Sequence, residues 1–228
     1  MSFYFKGEKS DDMGVILDDE VFEAVPEMNV EDISIEGRDG GIYQELNYKD
    51  VEITKNAYLV DLENADAVKQ WLSGSGVFAI GERWKMAHIY KGIEFKRFGP
   101  FKYSFSLQMI LSPFWQRIED WTDLGTISTD GTTAMFIQNI GNTISKPMIR
   151  ITPQTSTNVD ISINGTRFTL PSLGSGNTIT INCEDKEEDN PKNISIGYTY
   201  PSLSPGKNKI EIHAGSAKLS IRYKDRWI

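Results

Sequence analysis

The sequence predicts a mainly β protein with one short α-helix, arranged as two domains. Three observations carry this. Apolar and polar residues alternate with period two through most of the chain, one stretch alone repeats at helical spacing, and Gly, Asn and Pro turn signals recur at short intervals in the second half. At 228 residues, with 39% hydrophobic and 25% charged, the chain can bury one large all-β core or two of ordinary size.

The clearest strand runs from Lys102 to Leu111. Tyr103, Phe105, Leu107, Met109 and Leu111 fall on one side and Lys102, Ser104, Ser106 and Gln108 on the other, the pattern of an antiparallel strand with one buried face. The same alternation marks Ile33/Ile35, Val51/Ile53, Ile161/Ile163, Ile179/Ile181/Cys183, Ile210/Ile212/Ala214 and Leu219/Ile221/Tyr223. Asn164-Gly165 supplies the positive φ angles of a tight hairpin turn.

The helix is expected within Asn64 to Ser73, where Ala65, Val68, Trp71 and Leu72 form a stripe, Asn64 offers a cap and Gly74 a stop. Such a stripe in a β protein packs on a sheet, with Trp71 as the anchor. After Leu111 come Ser112-Pro113-Phe114-Trp115 and then the polar run Thr126 to Thr133, read as a loop or linker. This places the junction between about 122 and 132, giving domains 1–125 and 126–228. The second has the short strands and frequent turns of a sandwich or jelly roll.

With 24 Lys and Arg against 32 Asp and Glu, the chain carries a net charge of −8, which opposes phosphate-neutralising nucleic-acid binding and adhesion to anionic membranes. The charged amino terminus lacks the apolar middle of a signal peptide, and no apolar run reaches the roughly 20 residues of a membrane-spanning helix. A single cysteine, Cys183, excludes an internal disulfide framework and a cysteine-rich zinc site.

No residue set earns a catalytic, cofactor or metal assignment. His88 and His213 each sit in an alternating strand without metal-ligand spacing, and Cys183 continues the buried row Ile179/Ile181. Gly174-Ser175-Gly176 and Ser73-Gly74-Ser75-Gly76 lack the spacing of a nucleophile elbow and read as turns. The acidic groups Asp18-Asp19-Glu20, Glu119-Asp120 with Asp123, and Glu184 to Asp189 match no calcium loop and read as solvated loops. Asn164-Gly165-Thr166 and Asn193-Ile194-Ser195 match the glycosylation sequon, which has meaning only on export. Two other readings stay open: a carbohydrate-binding sandwich using Trp84, Trp115, Trp121 or Trp227, and a jelly-roll glycosidase using Glu119, Asp120 or Asp123.

Several motifs, in order, resemble the distal tail proteins (Dit) of long-tailed bacteriophages. They are Phe5-Lys6-Gly7 followed by Ser10 to Val15, the turn Gly37-Arg38-Asp39-Gly40, Trp71-Leu72-Ser73-Gly74, Phe95-Lys96-Arg97-Phe98, and Ser112-Pro113-Phe114-Trp115. The second half adds Asn139-Ile140-Gly141-Asn142 with Pro147 to Ile151, then Pro201 to Asn208, and the closing Tyr223-Lys224-Asp225-Arg226-Trp227. The resemblance implies an amino-terminal ring-forming β-domain with one helix and a carboxy-terminal galectin-like sandwich. It implies a non-enzymatic, cofactor-free virion protein, assembled in the bacterial host's cytoplasm and located at the tip of the tail. Its implied partners are five further copies in a homohexamer, the major tail tube protein, the tail-associated tip protein and, in some phages, receptor-binding or baseplate proteins. Phage DNA would meet it only in transit, through a lumen whose wall the net charge could make acidic, and no membrane insertion is implied. No H-x-N-x-R stretch of the lactose-binding galectin kind is present.

Overall fold

The computed structural model describes residues 1–18, 25–99, 102–118, 120–155, 157–170, 176–188, 195–196 and 199–228. The chain divides into two units, Met1–Trp115 with Ile228, and Gln116–Trp227. The first contains β1 (Tyr4–Phe5), β2 (Glu8–Lys9), β3 (Val15–Leu17), β4 (Met28–Ile33), β5 (Ile42–Tyr48), β6 (Val51–Leu59), a 3-10 turn (Leu62–Asn64), α1 (Ala65–Trp71), β7 (Gly74–Ile80), β8 (Arg83–Ile89), β9 (Lys96–Arg97) and β10 (Tyr103–Leu111). Its main sheet runs β2-β1-β7-β8-β10-β6-β3, with β9 pairing β10, and β4 and β5 form a separate two-stranded ribbon.

The expected strand is β10, in unbroken antiparallel register with β6 from Tyr103↔Leu59 to Leu111↔Val51. Phe105, Leu107, Met109 and Leu111 are all buried, so alternation read the core face correctly. The helix is also present, but Asn64 makes no side-chain cap. Instead the Asp61 carboxylate accepts from Glu63 N at 3.0 Å and starts the 3-10 turn that leads into α1. Trp71 is the anchor: its ring stacks on Phe3 at 5.6 Å, and its Nε1 donates to the Phe5 carbonyl at 2.7 Å. The indole N–H is thereby satisfied in a buried site, as a core tryptophan requires. Gly74 does not end the helix, whose C-cap is Leu72; it is the first residue of β7.

The second unit holds most of β11 (Trp115–Ile118), then β12 (Thr122–Ser128), β13 (Ala134–Asn139), β14 (Met148–Pro153), β15 (Val159–Ile163), β16 (Thr166–Leu170), β17 (Ile179–Asn182), β18 (Glu187–Glu188), β19 (Ser195–Ile196), β20 (Gly206–Ala214), β21 (Ser216–Arg222) and β22 (Lys224–Trp227). Two five-stranded sheets, β12-β21-β14-β17-β18 and β13-β20-β15-β16-β19, share one apolar core that includes Ile127, Ile151, Ile161, Phe168, Ile181 and Leu219. This is the sandwich that the alternating runs predicted. Asn164 and Gly165, at φ 50° and 84°, make the two-residue turn that joins β15 to β16.

The sequence placed the junction between 122 and 132, whereas the units part at Trp115 and Gln116. Residues 126–128, read as linker, are ladder residues: Thr126 pairs with Lys218, Ile127 with Ala217 and Ser128 with Ser216. Threonine and isoleucine favour the pleated conformation, and the buried Ile127 fixes the strand. Only the tip turns, with Gly131 N donating to Ser128 O.

One corner of the sandwich is built from buried polar groups. Asn139 is 1% exposed; its Nδ2 donates to the carbonyls of Thr143 and Leu203, each at 3.1 Å, while its Oδ1 accepts from Gly141 N at 2.9 Å. Asn208, wholly buried, donates to the carbonyls of Ser204 and Gly206, and its Oδ1 accepts from Asn164. Asp225 accepts from Ile140 N at 2.9 Å and faces Arg117 at 3.6 Å. The Arg226 carbonyl accepts from Asn142 N and Thr143 N. Apart from the side-chain contacts Asn164–Asn208 and Arg117–Asp225, each of these bonds satisfies a backbone group that the corner would otherwise bury unpaired. The polar motifs of the second half are therefore structural.

Candidate functional site

The sequence candidates for chemistry are dispersed and occupied. His88 is exposed on β8, its Nδ1 2.8 Å from Ser75 Oγ, its cross-strand neighbour, and its ring stacks beside Tyr90. His213 is likewise exposed, with Nε2 2.9 Å from Ser162 Oγ. Among the described residues neither histidine is bonded to a carboxylate, so neither serine–histidine pair has the third group that orients a base. Cys183 is buried in the sandwich core. Among the described residues no group of three His, Cys, Asp or Glu could hold a metal, and no helix is long and apolar enough to cross a membrane.

Asp123 sits at a β-bulge, where Lys218 pairs with it at 2.7 Å and Gly125 N donates to it. These two contacts, Lys218 first, hold its carboxyl below the usual carboxylate range. It is thus an ionised structural group, and Asp120 is exposed. Glu119, Asp19, Glu20, Asp189, Gly174-Ser175 and the Asn193 sequon lie outside the described residues. Burial raises Glu184, but Arg226 and Lys224 outweigh it and leave the group below its ordinary value. Two of the candidate tryptophans are already engaged within their own units. Trp115 is 3% exposed, beside Phe78, and the guanidinium of Arg150 lies over the ring of Trp121.

Sequence reasoning missed Lys85, a cation on the buried face of β8, 1% exposed. Its Nζ donates to the Pro113 carbonyl at 3.0 Å and lies 5.2 Å from the Trp115 ring centroid. Burial lowers its pKa to about 8. The unfolded chain therefore holds more protons than the folded one from about pH 8 to pH 10.5, and this lysine makes stability rise across that window by about 2 kcal/mol between pH 8 and pH 10. Denaturant titrations at those two pH values should show this rise in the parent and a flatter profile in Lys85→Met.

The ribbon and its connection carry several exposed apolar side chains close together. Register along β4 and β5 pairs Ile33 with Ile42 and Asp32 with Tyr43. The sequence predicted a half-buried strand at Ile33/Ile35; instead Ile33 and Ile35 are exposed, with Val30, Ile42, Tyr43 (70%) and Leu46 (55%). At its base Tyr48 packs edge-on against Phe114 at 5.1 Å. The connection between the strands passes through Gly37 and Gly40, at φ 81° and 83°. A two-stranded ribbon is marginal alone in water, and exposed apolar side chains of this size mark interaction surfaces.

No curated protein matches the sequence. Residues 140–227 match the family model of the siphovirus-type tail component, C-terminal domain. Among solved structures, the chain is similar to the Dit protein of phage SPP1, described as a paradigm of the hub adsorption apparatus in phages infecting Gram-positive bacteria. That match has TM-score 0.71 at 11% identity and covers 100% of this chain and 99% of that one. A second match, to the phage P2 baseplate in its activated conformation with Ca, has TM-score 0.40 at 8% identity, covering 98% and 97%. Residues 140–227 are thus similar to the C-terminal domain of siphovirus-type tail components, and the whole chain shares the fold of the SPP1 Dit protein.

Proposed function

We propose that this chain is the hub at the distal end of a phage tail, a ring of six copies that joins the tail tube to the tip. The observation that carries the reading is the agreement of fold over the whole chain with the SPP1 Dit protein, together with the tail-component match of the second domain. The role is structural, and His88, His213 and Asp123 are each engaged by a neighbouring side chain. The first domain closes the ring, and the sandwich serves as the outer docking domain. Ring closure needs heterologous contacts, in which one patch of a subunit meets a different patch of the next. The exposed ribbon β4–β5 supplies such a patch.

Mass measurement in solution at micromolar concentration tests the reading: a hexamer is expected, and a strictly monomeric protein overturns it. The double substitution Tyr43→Ser/Leu46→Ser separates the ribbon's part. Both side chains are exposed within one protomer, so its stability should change by no more than about 0.5 kcal/mol. The hexamer should nonetheless break into smaller species, and a ring that survives intact removes the ribbon from the interface.

A further inference from the structure

The outward face of the sheet β12-β21-β14-β17-β18 brings together three residues far apart in sequence. Register places Met148 opposite Arg222 and Arg150 opposite Ser220, and Trp121 immediately precedes β12. The guanidinium carbon of Arg150 lies 4.0 Å from the Trp121 ring centroid and that of Arg222 5.3 Å from the same ring. Arg222 is further steadied by a 3.6 Å contact from its Nη2 to Met148 Sδ. Among the described residues no carboxylate pairs with either arginine, although the chain as a whole has an acidic excess of eight. Carboxylates close to this face are already engaged: Asp123 by Lys218, and Glu184 by Lys224 and Arg226.

Two like charges held at one indole repel each other, and an anion between or beside them relieves that repulsion. Contact with one indole restrains both guanidiniums, so less side-chain freedom is lost when they pair with a carboxylate, a group that a guanidinium can bind bidentately. Beside them lies a cavity of about 250 Å³ whose lining includes Lys146, Arg222 and Lys224 and also two carboxylates, Glu184, which is paired with Lys224 and Arg226, and Asp185, which accepts from Asn182 Nδ2. Arginine and tryptophan are also the residues that dominate protein interfaces.

We propose that Arg150, Trp121 and Arg222 form a docking site for the carboxylates of an acidic protein segment, with Lys146 extending it. The occupant is a protein rather than a glycan or a nucleic acid for two reasons. The ring face that would stack on a sugar or a base is taken by Arg150. A long polyanion would also meet the repulsion of the whole chain, whereas a short acidic segment has to satisfy only this face. The site lies within one subunit, so its failure leaves the ring reading standing, and the reverse holds too.

The test is fluorescence polarisation of labelled hexaglutamate with the full chain in about 150 mM salt, where weak long-range attraction is screened. Binding is expected, with about tenfold loss in Arg150→Gln/Arg222→Gln, equivalent to about 1.4 kcal/mol. The charge-matched control Lys91→Gln/Lys102→Gln should bind as the parent does. Trp121→Ala keeps both charges but removes the platform, and it too should weaken binding severalfold; it decides the matter if the double arginine variant does not fold. Absence of hexaglutamate binding to the parent overturns the proposal, as does equal loss in the control. Arginine-dependent binding of a heparin hexasaccharide or oligothymidine without hexaglutamate binding overturns it as well.

Discussion

Gly141→Ala is expected to lower the stability of the sandwich domain by more than about 4 kcal/mol, the range reserved for changes that force the backbone apart. A Cβ at this position would fall 2.6 Å from the Arg226 amide nitrogen and closer still to its carbonyl oxygen. These are backbone atoms, and that carbonyl is the acceptor for Asn142 N and Thr143 N, so they cannot swing away as a long side chain would. Equilibrium denaturation followed by far-ultraviolet circular dichroism measures the effect. Gly131→Ala is the control, because nothing lies within 4 Å of a Cβ there, and it should change stability by no more than about 0.5 kcal/mol. Equal stability of both variants would show that the loop at 139–143 does not grip the last strand as described.

Asp225→Ala should cost about 3–5 kcal/mol, as expected when one partner of a buried ion pair is deleted. The carboxylate is 1% exposed; one oxygen accepts from Ile140 N, and the other faces Arg117. Its loss leaves the Ile140 N–H without this acceptor and removes a carboxylate from beside Arg117, and a buried donor without its acceptor costs more than the missing contact. Asp225→Asn retains the acceptor for Ile140 and should lose visibly less. Because Asp225 and Gly141 act on the same corner, the double variant Gly141→Ala/Asp225→Ala should fall short of the sum of the single losses. An additive pair would mean that the two contacts are independent.

Much of the fold was legible because it rests on period. The core strand Tyr103–Leu111, the sandwich strands and the turn at Asn164-Gly165 follow from alternation and backbone preference, which are local properties. Trp71 was legible as an anchor for the same reason, but its cap was not, since Asp61 lies before the apolar stripe and begins a 3-10 turn. The strand at 122–128 was hidden because its apolar side chains, Leu124 and Ile127, are three apart across the bulge between Asp123 and Gly125, which breaks the alternation. Lys85 sits where alternation demands an apolar residue, and only tertiary context reveals the carbonyl and ring that accept it.

The functional surfaces were less legible. Alternation at Ile33 predicted burial and could not show that this face of the ribbon is exposed. Residues 121, 150 and 222 are separated by whole strands, and only the register of β14 with β21 gathers them. The polar motifs Asn139 to Asn142 and Pro201 to Asn208, which carry part of the resemblance in sequence, prove to be the joinery of a corner.

The ribbon β4–β5 also bears on how such a protomer matures. With most of its apolar side chains open to water and, among the described residues, strand pairing only with each other, the two strands are an element whose folding a neighbouring subunit would complete under the proposed assembly. Its amide protons would then exchange quickly in dilute protein and slowly in the assembled form, while those of β10 would be protected in both. Under the proposed assembly, order in this segment would become a function of subunit concentration, so the same chain would be a partly finished protein when scarce and a finished one only in company.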